Sequence, residues 1–113
     1  ITLWGDGTPK REFLYADDLA EAIFFALERI ENGIYNVGSG ENVSIKELSR
    51  LLSDITGYKG KIIWNTSRPN GTPNRPLDSS KFKAFGWRAQ TNLIDGLTKT
   101  WEWFKNSENF QKS

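Results

Sequence analysis

Short strand-like runs alternate with amphipathic helical stretches along this chain, and that alternation constrains its fold more than any other feature. The strand-like runs cover residues 1–4, 34–37 and 61–64, and residues 10–15 are expected to be extended. Such alternation is typical of α/β proteins. Because two or three short strands are too few for a complete doubly wound sheet, we predict helices packed on a few short strands. The rest of the sheet is expected in sequence outside this chain.

Two longer helices are predicted in the first half of the chain. The first is capped by Asp17 or its neighbour and runs to about Ile30. The second begins with a capping box of Ser44 and Glu47 and ends at Gly57, a left-handed stop. The apolar stripes are Leu19, Ala22, Ile23, Ala26, Leu27 and Ile30 in the first helix, and Ile45, Leu48, Leu52 and Ile55, expected to be buried, in the second.

Two more helices are predicted in the second half. Asp78 is expected to cap a short helix that ends at Gly86, and Asn92 to open a final helix. The apolar side of that final helix consists of Leu93, Leu97, Trp101 and Phe104. A chain of 113 residues fits one domain.

Composition removes several classes of function. The chain has no Cys, which excludes disulfides and thiolate catalysis, and no His, the usual neutral-pH base and commonest metal ligand. None of its three tyrosines is followed by a lysine four residues later. We therefore predict no catalytic residue, no cofactor-binding residue and no metal ligand in this chain. No apolar run is long enough to span a bilayer and no secretory leader is seen, so a cytoplasmic location is expected.

Charge is distributed unevenly. Residues 1–57 carry 5 basic and 10 acidic side chains, whereas residues 58–113 carry 10 basic and 4 acidic ones. A basic half suits an anionic ligand, but a merely solvated surface stays open as an alternative. The basic residues are scattered through loops rather than packed in one tract, so no nucleic-acid partner is expected.

Two loops have the composition of binding segments. In the first, Trp4 and Arg11 flank a turn of glycines at residues 5–9, and an aromatic face with a guanidinium fork suits a base, a sugar and a phosphate. The second, residues 65–77, holds three of the four prolines and presents Arg68 and Arg75. Stiff basic loops suit diphosphates. On the pattern alone, two structural alternatives stay open. The first loop could be a plain surface hairpin, and the second could be a connector stiffened by its prolines.

Two other patterns are interpreted as structural. Asp17-Asp18 suggests acid/base chemistry, but adjacent helical residues point about 100° apart, so a helix N-cap that complements the macrodipole is favoured. Gly38-Ser39-Gly40 resembles a dinucleotide-binding loop, but its third glycine is absent. We therefore reject it as a cofactor site.

Several longer patterns occur together. One set combines the glycine turn, Arg11-Glu12-Phe13, Asp17-Asp18, Asn36-Val37-Gly38-Ser39-Gly40 and Phe85-Gly86-Trp87. A second set combines Trp4, Thr8-Pro9 and Arg68-Pro69-Asn70-Gly71-Thr72-Pro73 leading to Leu77-Asp78. The first set resembles the extended short-chain dehydrogenase/reductases. The second is similar to one family within them, the GDP-L-fucose synthases, over nearly the whole chain.

This resemblance implies a role for each loop. Residues 1–107 would be the C-terminal nucleotide-sugar-binding domain, followed by a polar tail at 108–113. Trp4 and Arg11 would contact the GDP-sugar, Arg75 stands where the family places a basic residue against the diphosphate, and Lys61 is similar to another basic position near the substrate. Arg68 is a candidate for the same substrate from the pattern of its loop. Arg75 stands where a lysine is common.

The resemblance also implies what lies outside the chain. NADPH would be bound by an N-terminal Rossmann domain that also carries the catalytic residues, so this part alone would be inactive. The intact protein would be a homodimer that epimerises and reduces GDP-4-keto-6-deoxy-mannose. Two alternatives stay open: another nucleotide-sugar epimerase or dehydratase, and a stand-alone module that binds a nucleotide or carbohydrate.

Overall fold

The computed structural model describes residues 1–108, in which four strands of three residues each alternate with helices. The strands are β1 Thr2–Trp4, β2 Lys10–Glu12, β3 Asn42–Ser44 and β4 Ile63–Asn65. The helices are α1 Ala16–Arg29, α2 Ile45–Thr56, α3 Ser80–Lys83 and α4 Leu93–Lys105. The predicted α/β organisation, with helices on a few short strands, is confirmed. The predicted tail falls outside the described residues except for Glu108, and the domain boundary at residue 107 stays a prediction.

The strands form two separate pairs. β1 lies parallel to β4, with Thr2 opposite Ile63 and Trp4 opposite Asn65. β2 lies antiparallel to β3. Because β1 and β4 are parallel, the loops that follow them leave from the same edge of the sheet. Those are the two loops that the sequence singles out.

An aromatic cluster between α1 and α3 forms the core. Ala22, Phe82 and Trp87 are buried, and the Phe82 ring meets the Trp87 ring edge-on at 5.5 Å between centroids. The partly buried residues packed against them are Leu14, Phe25, Ala26, Ile30, Tyr35, Val37 and Ala89. Edge-to-face aromatic pairs of this kind contribute roughly 0.5–1.5 kcal/mol beyond their buried area.

The predicted N-cap residues of α2 and α4 are confirmed, although the Glu47 carboxylate pairs with Arg50 rather than completing the predicted capping box. The Ser44 hydroxyl accepts a hydrogen bond from the Glu47 N–H at 3.1 Å, and Gly57 ends α2 with φ at 71°. The Asn92 side chain accepts from the Asp95 N–H at 2.9 Å and opens α4. These caps satisfy backbone N–H groups that have no partner within the helix.

The start of α1 differs from the prediction. Tyr15 is the N-cap residue, without a side-chain cap, and Asp17 lies in the first turn. Asp18 is buried, and its carboxylate accepts from the Thr91 N–H at 2.9 Å and the Thr91 hydroxyl at 3.2 Å. The prediction of a cap at Asp17 or its neighbour is therefore wrong, because Asp18 is turned inward to hold the segment before α4.

The predicted strand at residues 34–37 is not formed. Ile34 is 97% exposed, and within residues 1–108 no strand pairs with this stretch. The strand in this region is instead β3, which β2 pairs along its whole length. A β-strand forms only where a neighbouring strand supplies hydrogen bonds. The apolar character of residues 34–37 was therefore not enough to predict a strand there.

The short helix also differs in its bounds. α3 covers Ser80–Lys83, with Ser79 at the N-cap, and it ends before Gly86. Asp78, the predicted cap, accepts a hydrogen bond from the Ser80 N–H at 3.0 Å, but the N-cap residue is Ser79, one residue later. The Ser80 hydroxyl, followed by this backbone bond, lowers the pKa of Asp78.

Two apolar surfaces stay partly uncovered. On α1, Ala22 faces the core, whereas Leu19, Ile23 and Leu27 are exposed. On α2 no residue is fully buried, and Ile45, Leu48 and Leu52 of its predicted stripe line a groove of about 390 Å³ with Leu3 of β1 on the other side. The prediction that the α2 stripe is buried is therefore wrong for residues 1–108. No helix in that range is long and apolar enough to cross a bilayer.

Candidate functional site

The two loops singled out by the sequence are joined by hydrogen bonds. The Gly5 N–H donates to the Asn65 carbonyl at 2.9 Å, directly after the paired ends of β1 and β4. The Asp6 N–H donates to Oδ1 of Asn70 at 2.8 Å. A turn after one strand and a loop after its neighbour therefore form one surface. From here on, the glycine turn means residues 4–11, that is, the turn at residues 5–9 with the adjoining ends of β1 and β2. The proline loop means residues 65–77.

Trp4 and Arg68 form an aromatic and cationic pair on this surface. The Arg68 guanidinium carbon lies 5.0 Å from the centroid of the Trp4 ring. Trp4 is 66% exposed, so the pair faces solvent. Cation–π contacts at exposed sites contribute roughly 0.5–1 kcal/mol. An indole and a guanidinium in this arrangement present a flat face and a positive charge side by side.

Arg11 reaches the proline loop from β2. Its Nη1 donates to the Thr72 carbonyl at 2.8 Å and to the Lys10 carbonyl at 2.7 Å. The Lys10 N–H donates to the Pro73 carbonyl at 2.9 Å. Nη1 therefore uses both its N–H groups on the protein, and the fork holds the proline loop against β2.

Arg75 and Lys61, the other two predicted site residues, lie in different parts of the structure. Arg75 is exposed and directly follows Asn74, whose backbone bridges to Lys10, the residue before Arg11. Lys61 precedes β4, and its carbonyl accepts a hydrogen bond from the N-terminal amine of Ile1 at 3.0 Å. The structure joins Trp4 to Arg68 and Arg11 to the proline loop, and it places Lys61 at the other end of the β1–β4 pair.

Asp6 shapes the glycine turn. Its carboxylate accepts from the Thr8 N–H at 2.9 Å and from the Thr8 hydroxyl at 2.7 Å. The Thr8 backbone bond, followed by the hydroxyl bond, lowers the pKa of Asp6 from its ordinary value. Gly5 has φ at 81°, a conformation that side chains rarely adopt. These bonds within the turn act together with the bond from the Asp6 N–H to Asn70.

Two structural partners of the site were not predicted. Asn70 holds the proline loop, as described above, and Glu12 accepts from the Gly40 N–H at 2.8 Å. Glu12 therefore ties the Gly38–Gly40 loop to β2, and that loop leads into β3 rather than directly into a helix. Asn-Gly at residues 70–71 signals a turn, but the sequence does not show that its partner is 64 residues away.

The surface can bind an anion with a flat ring. Arg68 lies over an exposed indole and Arg11 contacts the same proline loop, and guanidinium groups pair with phosphates through charge-assisted hydrogen bonds. Within residues 1–108, no group of three or more His, Cys, Asp or Glu could hold a metal ion. The chemistry of this surface is therefore suited to binding an anion.

Comparison with known proteins gives the relatives. Residues 1–38 match the NAD dependent epimerase/dehydratase family. GDP-L-fucose synthase 1 of Arabidopsis thaliana is 43% identical over 105 residues, which are 92% of this chain and 32% of the plant protein. The predicted resemblance is confirmed. This chain is related to the GDP-L-fucose synthases.

Solved structures extend the likeness to the fold. A GDP-mannoheptose C4 reductase from Campylobacter jejuni with NADP bound is 33% identical, with a TM-score of 0.81 over 93% of this chain and 34% of the reductase. A UDP-glucose 4-epimerase from Thermotoga maritima with UDP-glucose is 32% identical, with a TM-score of 0.83 over 93% of this chain and 34% of the epimerase. The predicted fold class, part of an extended short-chain dehydrogenase/reductase, is therefore confirmed. The chain spans about a third of the length of the relatives it matches.

Proposed function

We propose that this chain is the substrate-binding part of an NADPH-dependent GDP-4-keto-6-deoxy-mannose epimerase-reductase, an enzyme of GDP-L-fucose synthesis. The observation that carries the proposal is the joining of Trp4, Arg68 and Arg11 on one surface by the glycine turn and the proline loop. The relatedness to GDP-L-fucose synthases supports the choice of substrate.

Each group has a role in this proposal. The Trp4 ring provides a face for the base or sugar, since stacking on aromatic rings contributes roughly 1–3 kcal/mol per base. Arg11 offers Nη2 and Nε to the diphosphate while Nη1 holds the proline loop. Arg75, which follows the residue that bridges to Lys10, adds positive charge. Charge-assisted bonds of about 1.5–3 kcal/mol each would then supply much of a micromolar affinity.

The remaining parts of the enzyme are proposed to lie outside this chain. An N-terminal Rossmann domain would bind NADPH and carry the catalytic residues, so that residues 1–113 alone would be inactive. Exposed Ile23 and Leu27 on α1, together with Ile34, support a covering partner of this kind. The intact enzyme is expected to be a cytoplasmic homodimer.

The full-length protein tests the activity directly. It is incubated with GDP-4-keto-6-deoxy-mannose and NADPH, and NADPH oxidation and the sugar product are followed by absorbance and NMR. We expect NADPH consumption with formation of GDP-L-fucose. No NADPH oxidation with this substrate would contradict the proposal. A gene whose reading frame encodes no cofactor-binding domain upstream would favour the stand-alone module instead.

A second candidate is an enzyme of the same superfamily that acts on a UDP- or dTDP-sugar. The likeness to a UDP-glucose 4-epimerase, at 32% identity, favours keeping it. Competition among GDP, UDP and dTDP for the full-length protein separates the two candidates. Tightest binding of GDP supports the first, and tightest binding of UDP or dTDP supports the second.

A further inference from the structure

The proline loop is held in place by a small number of contacts although it contains no helix. Oδ1 of Asn70 accepts from the Asp6 N–H at 2.8 Å. The Thr72 carbonyl accepts from Arg11, and the Pro73 carbonyl accepts from the Lys10 N–H. Of these three hydrogen bonds, only the first uses a side chain of the proline loop. The other two use the backbone carbonyls of Thr72 and Pro73, which any residue at those positions would supply. The identity of residue 70 therefore matters to the loop.

Asn70 and the glycine turn are closely interlocked. A Cβ atom at Gly5 would collide with Oδ1 of Asn70 and would lie 3.1 Å from its Cα. The absence of a side chain at Gly5 is thus what lets Asn70 approach the Asp6 N–H. The contact depends on both residues, one in each loop.

Arg68 lies between two anchored points of the proline loop. Its N–H donates to the Asn65 carbonyl at 3.1 Å, and that same carbonyl accepts from Gly5. On the other side, Asn70 follows Arg68 by two residues. The backbone of Arg68 is therefore held on both sides, and its guanidinium carbon lies 5.0 Å from the centroid of the Trp4 ring.

We propose that Asn70 is a positioning residue that holds Arg68 over Trp4 and so pre-forms the nucleotide-binding face. This inference rests on the proposed function, because it assigns Asn70 an effect on binding of the nucleotide. Loss of the anchor leaves the charge and the indole in place but lets the loop move. Binding must then order the loop again, which weakens affinity.

The expected effect is on affinity. In the full-length protein, Asn70→Ala should raise the Kd for GDP about five- to tenfold, the size expected for a single lost hydrogen bond and its ordering. The KM for the sugar substrate should rise similarly, and kcat should change less than twofold. Asn70→Asp keeps an oxygen acceptor toward the Asp6 N–H, so its melting temperature should stay close to that of wild type, whereas its added negative charge is expected to weaken GDP binding by repulsion.

The matched control is Asn74→Ala, which removes an exposed asparagine side chain from the same loop. Titration calorimetry with GDP and thermal melts are measured for all variants. Should Asn70→Ala fail to fold, Asn70→Gln takes its place as the variant that loses the anchor. It keeps the amide, but the longer side chain displaces the amide oxygen from the Asp6 N–H. An equal fall in melting temperature in Asn70→Asp and Asn70→Ala would contradict the acceptor role.

A double-mutant cycle with Arg68→Ala tests whether Asn70 acts through Arg68. We expect Asn70→Ala to weaken GDP binding by less than twofold once Arg68 has been removed. Additive effects, or loss of melting temperature without loss of affinity, would contradict the positioning role. A wild-type protein that does not bind GDP would contradict the proposed function itself, whereas wild-type binding unchanged by Asn70→Ala overturns only this inference.

Discussion

At the scale of single residues, two side chains decide how the candidate site is built. Arg11 is proposed to divide its guanidinium between the protein and the ligand, because Nη1 is held by the Thr72 and Lys10 carbonyls while Nη2 and Nε are offered to the diphosphate. Trp4 presents an exposed ring at the end of β1, with the Arg68 guanidinium carbon 5.0 Å from its centroid. Each of the two residues therefore contacts the proline loop and is also proposed to contact the ligand.

Trp4 can be tested by replacing the ring in two steps. In the full-length protein, Trp4→Ala should weaken GDP binding about tenfold, since stacking on an aromatic ring is lost. Trp4→Phe keeps a smaller ring and should lose about threefold. Titration calorimetry measures both, with Trp103→Phe, an exposed tryptophan of α4, as the control. Equal affinity in Trp4→Ala and wild type would show that the indole does not face the nucleotide.

Asp18 can be tested through stability. It is buried and accepts two hydrogen bonds from Thr91, so Asp18→Ala should lower the free energy of unfolding by about 1–3 kcal/mol. The neighbouring Asp17→Ala changes an exposed carboxylate and should stay within about 0.5 kcal/mol. Urea unfolding of the full-length protein compares the two. Equal losses would mean that Asp18 acts only as a first-turn charge.

At the scale of elements, the sequence predicts what is decided within a few residues. The caps of α2 and α4 and the end of α2 at Gly57 follow from local hydrogen bonding and backbone conformation. The two binding loops were also identified from their residues. Features set by distant partners were not: β3 exists because β2 lies beside it, and Asp18 is buried because Thr91 reaches it across 73 positions.

The α2 cap gives a prediction at this scale. Ser44→Ala removes the acceptor for the Glu47 N–H and should lower the free energy of unfolding by about 1 kcal/mol. Ser49→Ala, in the middle of the same helix, should be neutral or slightly stabilising because alanine has the higher helix propensity. Chemical unfolding of the full-length protein measures both. A larger loss at Ser49 than at Ser44 would contradict the assigned cap.

At the scale of the whole molecule, the described chain is more open than a compact domain. Its radius of gyration is 16.8 Å, whereas a compact domain of this length has about 13 Å. Only three hydrophobic residues within residues 1–108 are buried, and apolar side chains of α1 face outward. This open packing supports the proposal that the chain is covered by a further domain.

That proposal predicts the behaviour of an outward-facing leucine. Leu27 is 76% exposed, so Leu27→Asp would be nearly neutral if its surface met only water. Under a covering domain, it should lower the free energy of unfolding of the full-length protein by about 2 kcal/mol or more. Glu28→Ala, next to it on α1, should change stability by less than about 0.5 kcal/mol. A neutral Leu27→Asp would contradict the covering.

The central claim is that the glycine turn and the proline loop together bind a guanosine diphosphate group. Titration calorimetry of GDP with the full-length protein tests it most directly, comparing wild type with Arg11→Ala and with Arg88→Ala, an exposed arginine outside both loops. Arg11→Ala removes a phosphate donor and the bond to Thr72, so its Kd should rise at least about tenfold, while Arg88→Ala matches wild type. Unchanged GDP affinity in Arg11→Ala would contradict the claim.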